Sequence, residues 1–166
     1  MKIQVVSDME KGLLINVCGL TVDYNQTPAE ATKGLPDNYP MVATIPQESW
    51  SAGKTGKVEG VTIPVFFPRH RFTTKEGRKL QAEIGYGCPA ELAALKGEDV
   101  RKELWDQGIW WIVSLMEDDE ALLLASRDVR RPVYLRLGPF YHGFEFGYAD
   151  GAWDVYDALV GAPQVP

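Results

Sequence analysis

Residues Gly108 to Ser126, GIWWIVSLMEDDEALLLAS, constrain this chain more than any other stretch. Ile109 to Met116 are apolar except for Ser114, and the run is rich in Ile, Val and Trp. It is too short to cross a bilayer, so it predicts a strand buried on both faces near the centre of a sheet. The acids Glu117, Asp118, Asp119 and Glu120 cannot be buried together unpaired. The backbone must therefore reach water there and reverse before Ala121 to Ala125 return inside. A helix begun by the acids is the competing reading of that second run; an antiparallel meander is the favoured one, continuing through a reversal at Arg127 to Arg131, a strand at Val133 to Leu137 and another at Phe144 to Tyr148.

Upstream, Lys2 to Val6 and Leu13 to Tyr24 read as a hairpin. Thr27, Pro28 and Glu30 spell a helix start, with a hydroxyl cap, a proline at the first helical position and a carboxylate that returns the cap, and Gly34 marks the stop. Met41 to Ile45 reads as a short strand and Gln47 to Gly60 as a long loop. Within that loop, Ala52 to Lys57 invites comparison with a phosphate-binding loop. The comparison fails because Glu48 stands where glycine is required and a strand, Val61 to Phe67, follows where a helix is needed.

Val61 to Phe67 and Leu80 to Tyr86 read as the arms of a second hairpin. Its tip region holds Arg69, His70, Arg71, Phe72, Lys75, Arg78 and Lys79, with Phe67 and Phe72 interleaved. Guanidinium groups beside aromatic rings suit carboxylates on a protein partner, or phosphates with a ring stacked on a base. The bland alternative is a solvated hairpin whose charges keep an edge from aggregating. The surrounding charge sharpens the contrast. The chain carries a net charge of -6, yet residues 69 to 97 hold six Lys or Arg against three Asp or Glu. Such a surface disfavours general attachment to nucleic acid or anionic membrane and leaves one local spot for an anionic partner.

Pro89 and Gly97 bracket a helix preceded by Cys88, and Glu98 to Gln107 form a second, ended by Gly108. A thiol at a helix start is a candidate nucleophile, with His142 as its base, in a small hydrolase or transferase. Glu91, one turn away, opposes the thiolate, and no second cysteine sits at CxxC spacing. The segment Pro139 to Tyr148 alternates rings and glycines. On a strand, Phe140, His142, Phe144 and Phe146 share one face, while Tyr141 and Glu145 share the other. Such a row is a core face, a sugar-stacking platform or a protein-binding face. Gly151 to Val160 reads as a helix capped by Asp150, with Trp153, Val155, Tyr156, Leu159 and Val160 on one arc and Asp150, Asp154 and Asp157 opposite, packed as a lid.

The 166 residues fit one domain, 1–166, large enough to bury roughly 70% of the surface its unfolded chain exposes. The fold class expected is α+β: a mostly antiparallel sheet of hairpins and a meander, with two or three helices packed on one face. No export signal is legible, so a cytoplasmic protein with reduced Cys18 and Cys88 is expected. No metal cluster or cofactor motif stands out, and the acidic run lacks the spaced oxygen ligands and glycine of a calcium loop. The function expected is a non-catalytic protein-binding module acting by occlusion. An inhibitor, immunity-like or accessory protein of the kind that phages and mobile elements encode fits this description. Cysteine chemistry through Cys88 and His142, and single-stranded nucleic-acid binding through residues 66–79, are the alternatives.

Overall fold

The computed structural model describes residues 2–9, 11–121, 123–126 and 129–165. Among them, strands β1 (Lys2–Met9), β2 (Gly12–Asp23), β3 (Lys57–Phe67), β5 (Trp111–Ser114), β8 (Val133–Arg136), β9 (Gly143–Phe146) and β11 (Asp157–Val160) form a seven-stranded sheet in the order β1-β2-β3-β11-β5-β8-β9. All neighbours run antiparallel except β11 and β5, which are parallel. Two small ribbons complete the strands: β4 (Phe72–Thr73) with β10 (Ala152–Trp153), and β6 (Leu123–Ser126) with β7 (Val129–Arg131).

The alternation of side chains along each strand sorts the apolar residues into two cores. Ile15, Val17, Ile63, Val65, Ile112, Leu135, Phe144, Ala158 and Val160 point to the larger one. There they meet Trp50 of α2 (Gln47–Ser51), Leu92 of α4 (Pro89–Ala93), Val100 and Leu104 of α5 (Glu98–Asp106), and Ala31 of α1 (Pro28–Ala31). On the opposite face Phe66, Val113, Tyr134 and Leu159 pack with Phe72, Leu115 and Trp153 under Leu80 of α3 (Thr74–Gln81). The helices therefore divide over both faces of the sheet rather than gathering on one.

Several elements follow the sequence closely. The first hairpin forms, and Thr27 caps α1 with the reciprocal Glu30 bond. The run from Ile109 holds β5, with Ile112, Val113, Ser114 and Leu115 all buried. The stretch after the acidic turn is an extended ribbon, not a helix. The ribbon is an excursion, and β5 pairs directly with β8. The expected inward return of the side chains after Ala121, and the turn at residues 127 and 128, lie outside the described residues.

Four expectations are corrected. Met41 to Ile45 lies in a 3-10 turn spanning Pro40–Thr44, because Pro40 fixes the φ of a helical first position. The loop at Gln47 contains α2, closed by Ala52 and Gly53 in left-handed conformation. Leu80 to Tyr86 is not a returning strand, so the second hairpin does not exist. Its place is taken by α3, nucleated by a capping box in which Thr73 accepts from the Glu76 amide at 3.1 Å and Glu76 accepts from the Thr73 amide at 3.1 Å. Finally, Gly151 to Val160 is not a lid helix. Ala152–Trp153 pairs with Phe72–Thr73, a turn follows, and Asp157–Val160 becomes the fourth of seven strands.

Asp157 marks that turn. Its Oδ2 accepts from the Asp154 amide at 2.8 Å, and the residue is buried at the mouth of the central strand. Burial pushes its carboxyl up to about 6, the Asp154 amide pulls it down, and the neighbouring Asp154 charge raises it. A carboxyl whose folded pKa lies above its unfolded value contributes stability that is full below the unfolded pKa and is lost as pH rises through about 6. Asp157→Asn keeps an acceptor for the amide without the buried charge. It is expected to stabilise the fold at pH above the folded pKa by up to about 3 kcal/mol. Urea midpoints of both proteins across the acid-to-neutral range check this; parallel curves would contradict it.

Candidate functional site

Two surface regions gather the chemistry-bearing residues. The first is the basic segment. After β3 the chain leaves the sheet at Pro68 and turns through Arg69, whose φ of 65° lies in the left-handed region, before β4 brings Phe72 back inside. Arg69, His70, Arg71, Lys75 and Lys79 are exposed along this turn and α3. His70 Nδ1 contacts the Arg71 carbonyl at 2.8 Å. Arg78 is the exception. Its Nε and Nη2 donate to the carbonyls of Met116 and Leu115 at 3.0 and 3.1 Å, and its Nη1 pairs with Asp119 at 2.7 Å. That side chain ties down the turn after β5. Phe67 and Phe72 are both buried, so neither ring of the segment faces solvent.

The second region was only partly legible in the sequence. A cleft lies beyond the N-terminal end of β5 and the C-terminal end of β8, and it has two lobes. The apolar lobe, about 250 Å³, is lined by Trp105, Trp110, Trp111, Arg136, Phe140 and Tyr141 among others. The polar lobe, about 570 Å³, is lined by Glu98, Arg101, Lys102, Trp105, Asp106 and His142 among others. Trp105, Gly138 and Pro139 border both. Gly138 allows the approach, since a Cβ there would sit 3.2 Å from the Trp105 ring.

The rings of this cleft are ordered by one another. Trp110 stacks on Tyr156 with centroids 3.9 Å apart and on Trp105 at 5.9 Å, with interplanar angles of 11° and 16°. Phe140 is 87% exposed, Tyr141 64% and Trp110 44%. The strand alternation expected for residues 140–146 is therefore confined to its second half. Strand β9 begins at Gly143, Phe144 and Phe146 enter the large core, and Phe140 and Tyr141 project from the preceding loop. That loop is strapped to residues 37–39. The Asp37 and Tyr39 amides donate to the carbonyls of His142 and Phe144 at 3.2 and 2.9 Å, and the His142 amide donates to Asp37 Oδ2 at 3.1 Å. A Cβ at Gly143 would lie 2.4 Å from the Asp37 carbonyl carbon, so the strap needs glycine there.

Cys88 and His142 occupy different places. Cys88 is enclosed in the large core at 1% exposure, whereas His142 is half-buried in the wall of the polar lobe. Burial and then the neighbouring Glu91 carboxylate push the Cys88 thiol up to about 12, against the opposing pull of the Glu91 backbone amide and Lys54. Glu91 is itself buried and accepts from the Cys88 amide at 2.7 Å, the Tyr24 hydroxyl at 2.6 Å and Lys54 at 2.7 Å. This lysine belongs to the loop that resembled a phosphate cradle, and the structure gives it a counter-charge inside the protein. Among the described residues no group of three or more His, Cys, Asp or Glu is placed to hold a metal ion, and no helix is long and apolar enough to cross a membrane.

No protein-family model matches the chain, and the searches of curated proteins and of solved structures find no match either.

Proposed function

We propose that this protein is a non-catalytic binding module that docks on an anionic surface of a protein partner and acts by occlusion, as an inhibitor, immunity-like or accessory protein does. The observation that carries the reading is the exposed cationic run of Arg69, His70, Arg71, Lys75 and Lys79 on one turn and helix of an otherwise acidic chain. Complementary charge steers encounter and suppresses wrong partners. Burial of Phe67 and Phe72 removes the rings that base stacking would use, which favours a protein over single-stranded nucleic acid. The enclosed Cys88, its thiol held protonated, likewise favours binding over cysteine chemistry.

Arg78 is the wrong residue to mutate, since its loss would free two carbonyls at the turn after β5. The informative variant is Arg71→Glu with Lys75→Glu and Lys79→Glu, all on exposed side chains. Tagged wild-type protein is expected to retain a stoichiometric protein band from nuclease-treated cell lysate. The triple variant, with an unchanged circular dichroism spectrum, is expected to lose it. A band retained by the variant would remove the segment from the interface.

A further inference from the structure

We propose that the two-lobed cleft beside α5 binds a neutral oligosaccharide, a site separate from the basic segment. The argument begins with the rings. A pyranose presents a face of C–H groups that packs flat on an aromatic ring, and the ring must be held still for the contact to be favourable. The column Tyr156–Trp110–Trp105 supplies that rigidity, because each ring fixes the next, and Trp105 is the member that lines both lobes. Phe140 and Tyr141 stand exposed across from it on a loop strapped to residues 37–39.

The polar lobe identifies the ligand class. Sugar hydroxyls both donate and accept, so their site needs carboxylates and cationic donors side by side. Glu98 and Asp106 provide the first, Arg101 and Lys102 the second, and His142 adds ring nitrogens. Arg101 is positioned by its Nε, which donates to the Lys96 carbonyl at 2.7 Å. The two carboxylates balance the charges of Arg101 and Lys102, in a protein of net charge -6. A phosphate or carboxylate ligand finds no electrostatic gain there. A neutral, hydroxyl-rich chain has donors and acceptors to meet in the polar lobe and aromatic rings in the apolar one. The two lobes share Trp105, Gly138 and Pro139 in their walls, so a chain of several sugar units can engage both.

The test is a titration followed by tryptophan fluorescence, since Trp105, Trp110 and Trp111 line the apolar lobe. The probes are cellohexaose, chitohexaose, maltohexaose and xylohexaose, with adenosine monophosphate as the anionic aromatic control. A saturable change with at least one hexasaccharide is expected, indifferent to salt. Phe140→Ala with Tyr141→Ala is expected to weaken it by about tenfold or more. The same pair is expected to leave the urea midpoint in place, because both side chains project into solvent. Trp105→Ala and Asp106→Ala are expected to weaken it too. Overturning results are silence with all four sugars, binding untouched by the Phe140 and Tyr141 variant, or salt-sensitive binding of adenosine monophosphate alone.

Discussion

Deleting residues 157–166 is expected to abolish folding altogether. Strand β11 is the hinge of the sheet: Leu159 and Val160 pair with Phe66 and Val65 on one side, while Asp157 to Leu159 pair with Trp111 to Val113 on the other. Without it, β3 and β5 have no common neighbour, and the sheet separates into β1-β2-β3 and β5-β8-β9. Both cores lose residues, since Ala158 and Val160 belong to the larger and Leu159 to the smaller. Each fully buried Leu or Val contributes about 1.5–3 kcal/mol. The segment beyond the strand adds bonds of its own, from the Gly161 amide to the Pro64 carbonyl at 2.8 Å and between Thr62 and Gln164 in both directions. Loss of these together is comparable to the roughly 5–15 kcal/mol by which a domain is stable. The truncated chain is expected to show a disordered amide spectrum and no cooperative urea transition. A cooperative transition in that chain would mean the sheet is not organised through β11.

Glu91→Ala is expected to be among the most damaging single substitutions outside the strands. The carboxylate is buried where α4 begins, and three donors converge on it. Its removal strands the Tyr24 hydroxyl and the Cys88 amide in the core, each at the cost of an unmade hydrogen bond. The Lys54 side chain is 46% exposed, so water takes over much of its solvation and the ion pair itself supplies the smaller part. Loss of the whole network is expected to cost about 3–5 kcal/mol. The coupling is testable in a double-mutant cycle. Tyr24→Phe is expected to destabilise the wild type and to cost little in the Glu91→Ala background, because the hydroxyl then has no acceptor. Burial and the Glu91 bond both push the Tyr24 hydroxyl well above its ordinary pKa, so it stays a donor at any physiological pH. Additive urea midpoints in the cycle would show that the two residues act independently.

The cleft and the basic segment were legible to different degrees. Cation density between Arg69 and Lys79 is a property of composition, so its exposure could be anticipated. Its mounting could not. The hairpin reading rested on two apolar runs flanking charge, yet Thr73 and Glu76 carry the same capping signature that correctly placed α1 at Thr27 and Glu30. Of the cleft, the sequence showed the rings at Phe140 and Tyr141 but not their neighbours. Trp105, Trp110 and Tyr156 lie on a helix, a strand approach and a turn respectively, and no spacing rule links them.

What the sequence determined by itself was local. The first hairpin, the capped helices, the buried stretch at Ile112 to Leu115 and the surface reversal at the acids follow from apolar patterning, proline and glycine placement and the cost of burying charge. The central strand was decided by tertiary structure alone. Residues 151–160 fit an amphipathic wheel, but Asp157 to Val160 is a short run buried on both faces, and such a run carries no period that separates strand from helix. Which one forms depends on whether open edges wait on both sides. Here β3 and β5, brought into place by distant parts of the chain, offer two rows of unpaired amides and carbonyls, and pairing with both outweighs any local preference for helix.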